Sequence, residues 1–314
     1  MRAVIVGCGR IAGGYGEGHG DAILTHVAAY RKLGVDVVGC CDLDGARAEA
    51  FARRWGIGAA DARLGRLLAS TQPDIVSVCT PPTERESTLR TLIACGSIRA
   101  ALFEKPLAST GDQAAAIARS ARAWGRPVLV NYFRAYDPFY QQLVRECAGG
   151  RFGPVHGIVV RYYGSAVANA SHLLERVLEM LGGPDHAARL AGDDEAPLFE
   201  LRFRSTEARA LFLPTPGTQY APMEMDLLFE AGRIRVLDSE QRVEWFRAFP
   251  LREFEGYCGL VPLADAPTEQ PDWQAMLNVF RELVRVANSG SGDERGVERA
   301  VAVSRILDTV GAGR

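Results

Sequence analysis

Over residues 1–130, short unbroken apolar runs alternate with stretches whose apolar residues recur every three or four positions. The runs predict strands at Arg2–Val6, Val35–Cys41, Asp74–Cys79, Ala100–Phe103 and Pro127–Asn131. The stretches between them predict helices at Leu24–Leu33, Gly45–Trp55, Ala62–Ala69, Thr83–Ala94 and Thr110–Ala123. Strands that alternate with helices imply crossover connections and a parallel sheet. Strands that are apolar on both faces require helices on both sides. The pattern therefore predicts an α/β domain, a doubly wound parallel sheet over residues 1–130. Functional groups in such sheets gather at the carboxyl ends of the strands.

From residue 131 the pattern changes, and a second domain is expected over residues 131–314. A helix at Pro138–Cys147 leads through glycine-rich turns to a strand at Val155–Tyr163. A helix follows over Ser171–Leu181, stopped by Gly182-Gly183-Pro184. Alternating polar and apolar positions then predict strands at Leu198–Arg204, Ala208–Leu213, Met223–Phe229, Ile234–Val236 and Val243–Arg247. The short turns between several of them predict antiparallel pairing. Helices at Trp273–Ala287 and Gly296–Val310 close the chain. This half reads as an α+β domain with an open, mostly antiparallel sheet.

At 314 residues the chain suits two cores better than one. Composition is that of an ordinary globular protein, 47% hydrophobic and 24% charged. A net charge of −2 argues against a nucleic-acid partner. No apolar run approaches the ~20 residues of a membrane span. The first strand begins at once and leaves no room for a signal peptide, so a cytoplasmic location is expected. The seven cysteines are odd in number and match no zinc spacing, which suits small apolar residues in a reducing compartment. The acidic stretch Asp193-Asp194-Glu195 reads as a solvated loop, and no metal site is expected.

The first strand runs into Gly7-Cys8-Gly9-Arg10-Ile11-Ala12, a dinucleotide-binding turn in its proper context. Gly7 permits the tight turn, Gly9 lets the backbone approach a pyrophosphate, and Ala12 allows close helix packing. Amides at the helix start would hold the phosphates. Asp42, ending the second strand, is placed to accept hydrogen bonds from ribose hydroxyls and to repel a 2′-phosphate. That favours NAD, with NADP the alternative. Asp42 also suits a helix cap, and both roles can coexist. Asp42 lies 30 residues past Ala12, where about 20 is usual. The surplus is Gly13–Asp21, with five glycines in nine residues. Such a stretch is no stable helix. It reads either as a loop that closes over the cleft through Tyr15, Glu17 or His19, or as a surface loop.

The run Ala100–Phe103 ends in Glu104-Lys105-Pro106, which puts a lysine at the mouth of the same sheet. Removing a hydride from a carbinol carbon requires the hydroxyl proton to leave too. A buried lysine with its pKa drawn toward neutrality suits that proton transfer. With Glu104-Lys105-Pro106, Asn169-Ala170-Ser171-His172, Thr80-Pro81-Pro82, Asn131-Tyr132-Phe133-Arg134 and the spacing from His172 and Glu175 to Gly182, the chain resembles the Gfo/Idh/MocA family of nicotinamide-dependent oxidoreductases along nearly its whole length.

The resemblance implies a Rossmann domain joined to an α/β domain with an open sheet, and hydride transfer to or from a sugar, cyclitol or related secondary alcohol, nucleotide-linked and amino sugars included. It makes Lys105 the catalytic lysine, aimed by Pro106, and makes His172 its partner at the substrate oxygen. Cofactor contacts fall to Gly7, Gly9, Arg10, Ile11, Ala12, Asp42, Thr80, Pro81, Glu104 and Lys105. Substrate contacts fall to Asn131, Tyr132, Arg134, Asn169 and His172. Association through the open sheet into a homodimer or homotetramer is implied as well.

His172 begins a helix with the apolar stripe Leu174, Val177, Leu178 and Leu181, and Glu175 is spaced to fix its tautomer. Arg134 suits either a substrate anion or a link to Asp137. The chain departs from many relatives at Ala168, where they carry an aspartate, so an amide, Asn169, would serve the substrate in place of a carboxylate. Two other readings stay open: reduction of a C=N or tetrapyrrole bond, and nicotinamide binding without turnover.

Overall fold

The computed structural model describes residues 1–15, 23–252, 255–272, 275–292 and 295–312. The chain divides into two compact units, Met1–Tyr136 with Trp273–Ser304, and Asp137–Asp272 with Arg305–Arg314. In the first unit the chain runs β1 (Arg2–Val6), α1 (His26–Lys32), β2 (Asp36–Cys41), α2 (Gly45–Trp55), β3 (Ala60–Asp61), α3 (Leu64–Thr71), β4 (Ile75–Val78), α4 (Arg85–Ile93), β5 (Ala100–Phe103), α5 (Gly111–Trp124) and β6 (Val128–Val130). The second unit holds α6 (Pro138–Cys147), β7 (Val155–Tyr162), α7 (Ser171–Leu181), β8 (His186–Ala191), β9 (Leu198–Arg202), β10 (Arg209–Pro214), β11 (Met223–Phe229), β12 (Gly232–Leu237), β13 (Arg242–Pro250) and β14 (Cys258–Pro262). Two helices follow, α8 (Ala275–Ser289) and α9 (Arg295–Thr309).

The first unit's six strands are all parallel, in the order β3-β2-β1-β4-β5-β6. Strand order reverses between β1 and β4, which opens a crevice at their carboxyl ends, where such sheets bind ligands. Every residue of β4, β5 and β6 is buried, as helices on both faces demand. Helix starts are set by side chains: Thr25, Asp44 and Thr110 each accept from a first-turn amide of α1, α2 and α5. Although the pattern assigns α8 to the second domain, its apolar face joins the first unit's core. Met276, Leu277, Val279, Phe280, Leu283 and Val286 pack there with Ile5, Tyr30 and Leu102.

The second unit's sheet has eight strands in the order β14-β13-β12-β11-β7-β10-β9-β8. Pairing is antiparallel except between β7 and β10, which run parallel from Arg209 with Gly157 to Pro214 with Tyr162. The sheet is thus mostly antiparallel, as expected, with one parallel step between strands that no short turn joins. Between β7 and β10 the chain passes through α7, β8 and β9, and such a crossover brings it back in the same direction. Three strands escape the sequence pattern. β3 is only two residues long, β8 is largely exposed, and β14 alternates weakly.

Candidate active site

The turn after β1 is shaped by one glycine. Gly7 has φ +90°, and a Cβ there would lie 2.8 Å from the Cys79 carbonyl carbon and 2.9 Å from the Thr80 nitrogen. Only glycine fits. Its amide donates to the Cys41 carbonyl (2.7 Å), tying the turn to the end of β2. Gly9 differs: a Cβ there would meet nothing within 4 Å, so the backbone faces open space. Arg10–Gly14 form a single π-helical turn, and α1 begins at His26, within the expected Leu24–Leu33. Ile11 is half-buried and Ala12 fully buried, while Arg10 is exposed and stacks over the Tyr15 ring at 4.6 Å. Of the glycine-rich loop, Gly13 is a packing residue: a Cβ there would stand 2.6 Å from Trp55 Nε1. Residues 16–21, with Glu17 and His19, lie outside the described residues.

Asp42 closes the same turn. One carboxylate oxygen accepts from the Cys8 amide (2.9 Å), the other from the Asp44 amide (3.0 Å). The cap of α2 is Asp44, not Asp42. Arg47 Nη1 stands 3.6 Å from Asp42 Oδ1. Across the crevice, Thr80 Oγ1 is shielded and finds no hydrogen-bond partner among the described residues. Pro81 beside it is exposed. An open backbone approach at Gly9, a turn that only glycine can make, and a shielded hydroxyl with nothing to bond fit a dinucleotide.

The end of β5 carries the densest chemistry. The Glu104 carboxylate is buried, and its Oε1 accepts from His26 Nε2 (2.8 Å) and Asn131 Nδ2 (2.6 Å). Its Oε2 accepts from the Lys105 amide (3.2 Å). Burial pushes the Glu104 carboxyl up, but the His26 and Asn131 hydrogen bonds and the Lys105 charge outweigh it and hold it below the usual range. The Lys105 ammonium is drawn down to about 8. Burial is the main cause; Glu104 opposes it, while Arg134 and Arg85 reinforce it. The Lys105–Pro106 peptide is cis. Buried Arg85, at the start of α4, donates to the Thr80 carbonyl (3.1 and 3.0 Å) and to the Glu104 carbonyl. Asn131 thereby commits its amide hydrogen to Glu104, and its Oδ1 is shielded without a partner among the described residues. Tyr132 and Arg134 are buried next to it in sequence, and Arg134 stacks over Phe133 at 4.6 Å. Asp137, its expected link, caps α6 through the Phe139 amide (2.8 Å) and also accepts from the Asp272 amide (2.8 Å).

The structure thus gathers the fingerprint turn, Asp42, Thr80, Pro81, Glu104, Lys105, Asn131, Tyr132 and Arg134 in the first unit, on segments that follow β1, β2, β4, β5 and β6. Asn169 and His172 belong to the second unit. Asn169 Nδ2 donates to the Tyr163 carbonyl (2.8 Å), which closes the turn before α7. His172 is buried in the first turn of α7. Glu175, expected to orient it, is engaged by the fully buried Arg176, whose Nε stands 2.7 Å from Glu175 Oε2. Two site residues escape the sequence pattern, His26 and Arg85. The available signal was a histidine on the buried face of α1 beside Thr25, Val27 and Tyr30.

Residues 1–132 match a family model described as an oxidoreductase family with an NAD-binding Rossmann fold. The chain is 26% identical over 162 residues to D-glucoside 3-dehydrogenase of Escherichia coli, a match covering 51% of this chain and 43% of the relative. It is 31% identical over 155 residues to the myo-inositol dehydrogenase Hyg17 of Streptomyces leeuwenhoekii, covering 49% of this chain and 43% of the relative. The chain therefore spans less than half the length of these relatives. In fold it resembles the WlbA dehydrogenase of Bordetella pertussis, solved with NADH and UDP-GlcNAcA. That likeness has a TM-score of 0.75 at 18% identity and covers 98% of this chain and 94% of that one.

Proposed function

We propose, from the match of residues 1–132 to the NAD-binding oxidoreductase family and the resemblance to Gfo/Idh/MocA enzymes, that the protein interconverts a secondary alcohol and a ketone on a sugar-like substrate, using NAD(H). The observation that carries this reading is Lys105: a half-buried lysine at a strand end, titrating near 8, in the unit that holds the dinucleotide turn. Glucoside, inositol and sugar-nucleotide enzymes among the relatives support a polyhydroxylated substrate, nucleotide-linked or amino sugars included.

When bound, the nicotinamide supplies a two-electron acceptor or donor of hydride. Gly7, Gly9, Arg10, Ile11 and Ala12 would seat its pyrophosphate, Asp42 its ribose hydroxyls, and Thr80 and Pro81 its inner half. Asp42 favours NAD over NADP. In oxidation, Lys105 takes the proton of the reacting hydroxyl on neutral Nζ; in reduction, its ammonium returns that proton to the carbonyl oxygen. The Glu104 charge favours that ammonium. The family resemblance gives His172 and Asn169, in the second unit, to the substrate. Tyr132, Asn131 and Arg134 would line the substrate side.

The test is a screen of sugars, cyclitols and nucleotide sugars with NAD and NADP, followed at 340 nm, with Lys105→Ala alongside. Turnover should fall by the ~10²–10⁴ usual for a general acid–base group, while NAD binding survives. Unchanged turnover removes Lys105 from the mechanism. Tight NAD binding without turnover on any substrate favours a non-catalytic protein, and turnover on C=N substrates alone favours a reductase of that bond.

A further inference from the structure

The geometry points to His26 as a positioning residue for Lys105, acting through the Glu104 carboxylate. The inference rests on the reading of Lys105 as the proton-transfer group. His26 lies in the first turn of α1, fully buried, and its Nε2 stands 2.8 Å from Glu104 Oε1. A carboxylate only accepts, so Nε2–H is the donor. The ring is fixed from behind: Phe280 of α8 meets it edge-on at 5.0 Å and 83°. Phe280 is held in turn against Tyr30 (4.8 Å), whose hydroxyl pairs with Ser77 of β4 (2.6 Å). His26 Nδ1 is shielded and has no hydrogen-bond partner among the described residues, so the ring's one hydrogen bond in the structure points at Glu104.

The consequence follows from burial. A carboxylate shielded from water returns to its neutral acid unless donors and charge hold it ionised. Among the described residues Glu104 has three donors: His26 from α1, Asn131 after β6, and the Lys105 amide. The titratable and charged groups around the pair are Cys79 at the end of β4, Arg85 on α4, Tyr132 and Arg134. Both arginines push the Lys105 proton off, and the Glu104 carboxylate is what retains it. If His26 no longer donates, Glu104 takes up a proton more readily and its pull on Lys105 weakens. Lys105 then loses its proton at lower pH. Acting through Glu104, His26 thereby sets where Lys105 titrates.

The experiment needs no substrate. Full-length protein is acylated with limiting acetic anhydride across a pH series, and the labelling of Lys105 is read by peptide mass spectrometry against surface lysine Lys32. In His26→Phe the Lys105 midpoint should fall by about half a unit or more, roughly a threefold change in the deprotonated fraction. His26→Gln, whose amide can still donate, should restore most of the shift. Glu104→Gln should lower the midpoint as well, and adding His26→Phe in that background should do nothing further. An unchanged midpoint in His26→Phe, or an equal shift in the Glu104→Gln background, overturns the inference. Should His26→Phe fail to fold, a wild-type midpoint in Glu104→Gln overturns it just as well, because Glu104 is then no intermediary. Turnover that survives Lys105→Ala would sink the catalytic reading while leaving this titration result intact.

Discussion

The two glycines of the fingerprint make opposite demands at the scale of single residues. A methyl group on Gly7 would collide with the end of β4 and sit at a left-handed φ. Gly7→Ala should therefore cost both stability and NAD binding. A methyl group on Gly9 would meet nothing. Gly9→Ala should keep the wild-type melting temperature while the NAD dissociation constant rises about tenfold (~1.4 kcal/mol). Calorimetry beside a thermal melt separates the two, and equal affinity in Gly9→Ala would place the cofactor elsewhere. Lys105 sets the pH behaviour. Its proton is held to about pH 8. Oxidation uses the neutral amine, so its kcat/KM should rise as pH climbs through about 8. Reduction uses the ammonium and should fall over the same window. A profile flat through that window in both directions would contradict the assignment.

At the scale of elements, helices bear the strain of buried charge. Arg176, in the middle of α7, is fully buried and bridges Glu175 and Glu179 (Nη2 to Oε2, 2.5 Å each). Removing one partner of such a cluster leaves charge stranded, so Arg176→Met should destabilise the fold by about 3–5 kcal/mol. Combining it with Glu175→Gln should recover part of that loss in urea titrations. A neutral Arg176→Met would mean the cluster is solvated. In α8, Phe280→Ala removes the ring that braces His26 and Tyr30, at a cost of roughly 3–5 kcal/mol. The same elements show what the sequence could reveal. Spacing alone marked α7 over Ser171–Leu181 and β5 over Ala100–Phe103, because period and stop signals are local. Lys105 was legible because a charged triplet follows an apolar strand. His26 and Arg85 were not, because their partner, Glu104, lies 78 and 19 residues away in sequence. The parallel pairing of β7 and β10 was hidden for the same reason: a local turn signal says nothing of a strand that returns after a crossover.

Association belongs to the scale of the whole molecule, and the register of the second sheet frames it. One face carries the buried residues Ile158, Val160, Phe212, Met225, Leu227 and Ile234. The other face mixes half-buried or exposed apolar side chains with charge. Register aligns Leu211 with Val159, Val159 with Asp226, and Arg235 with Glu244 on that face. Cross-strand ion pairs lie among them, Arg233 Nε to Asp226 Oδ1 at 2.8 Å and Arg235 to Glu244 at 3.2 Å. Leu228 and Leu260, on the same face, are large apolar side chains left exposed. Exposed leucines among charges already paired within the face suit a self-complementary interface between copies of the chain. The ion pairs satisfy the charges in place, and the leucines would supply the area whose burial drives such association. Light scattering should therefore find a dimer or tetramer in solution. Val159→Arg, on the central strand of that face, would put a long charged side chain in the middle of it, opposite an Asp226 already paired with Arg233. It should yield monomers that still bind NAD, because the dinucleotide turn belongs to the other unit. An oligomer unchanged by Val159→Arg would show that the chain associates through some other surface.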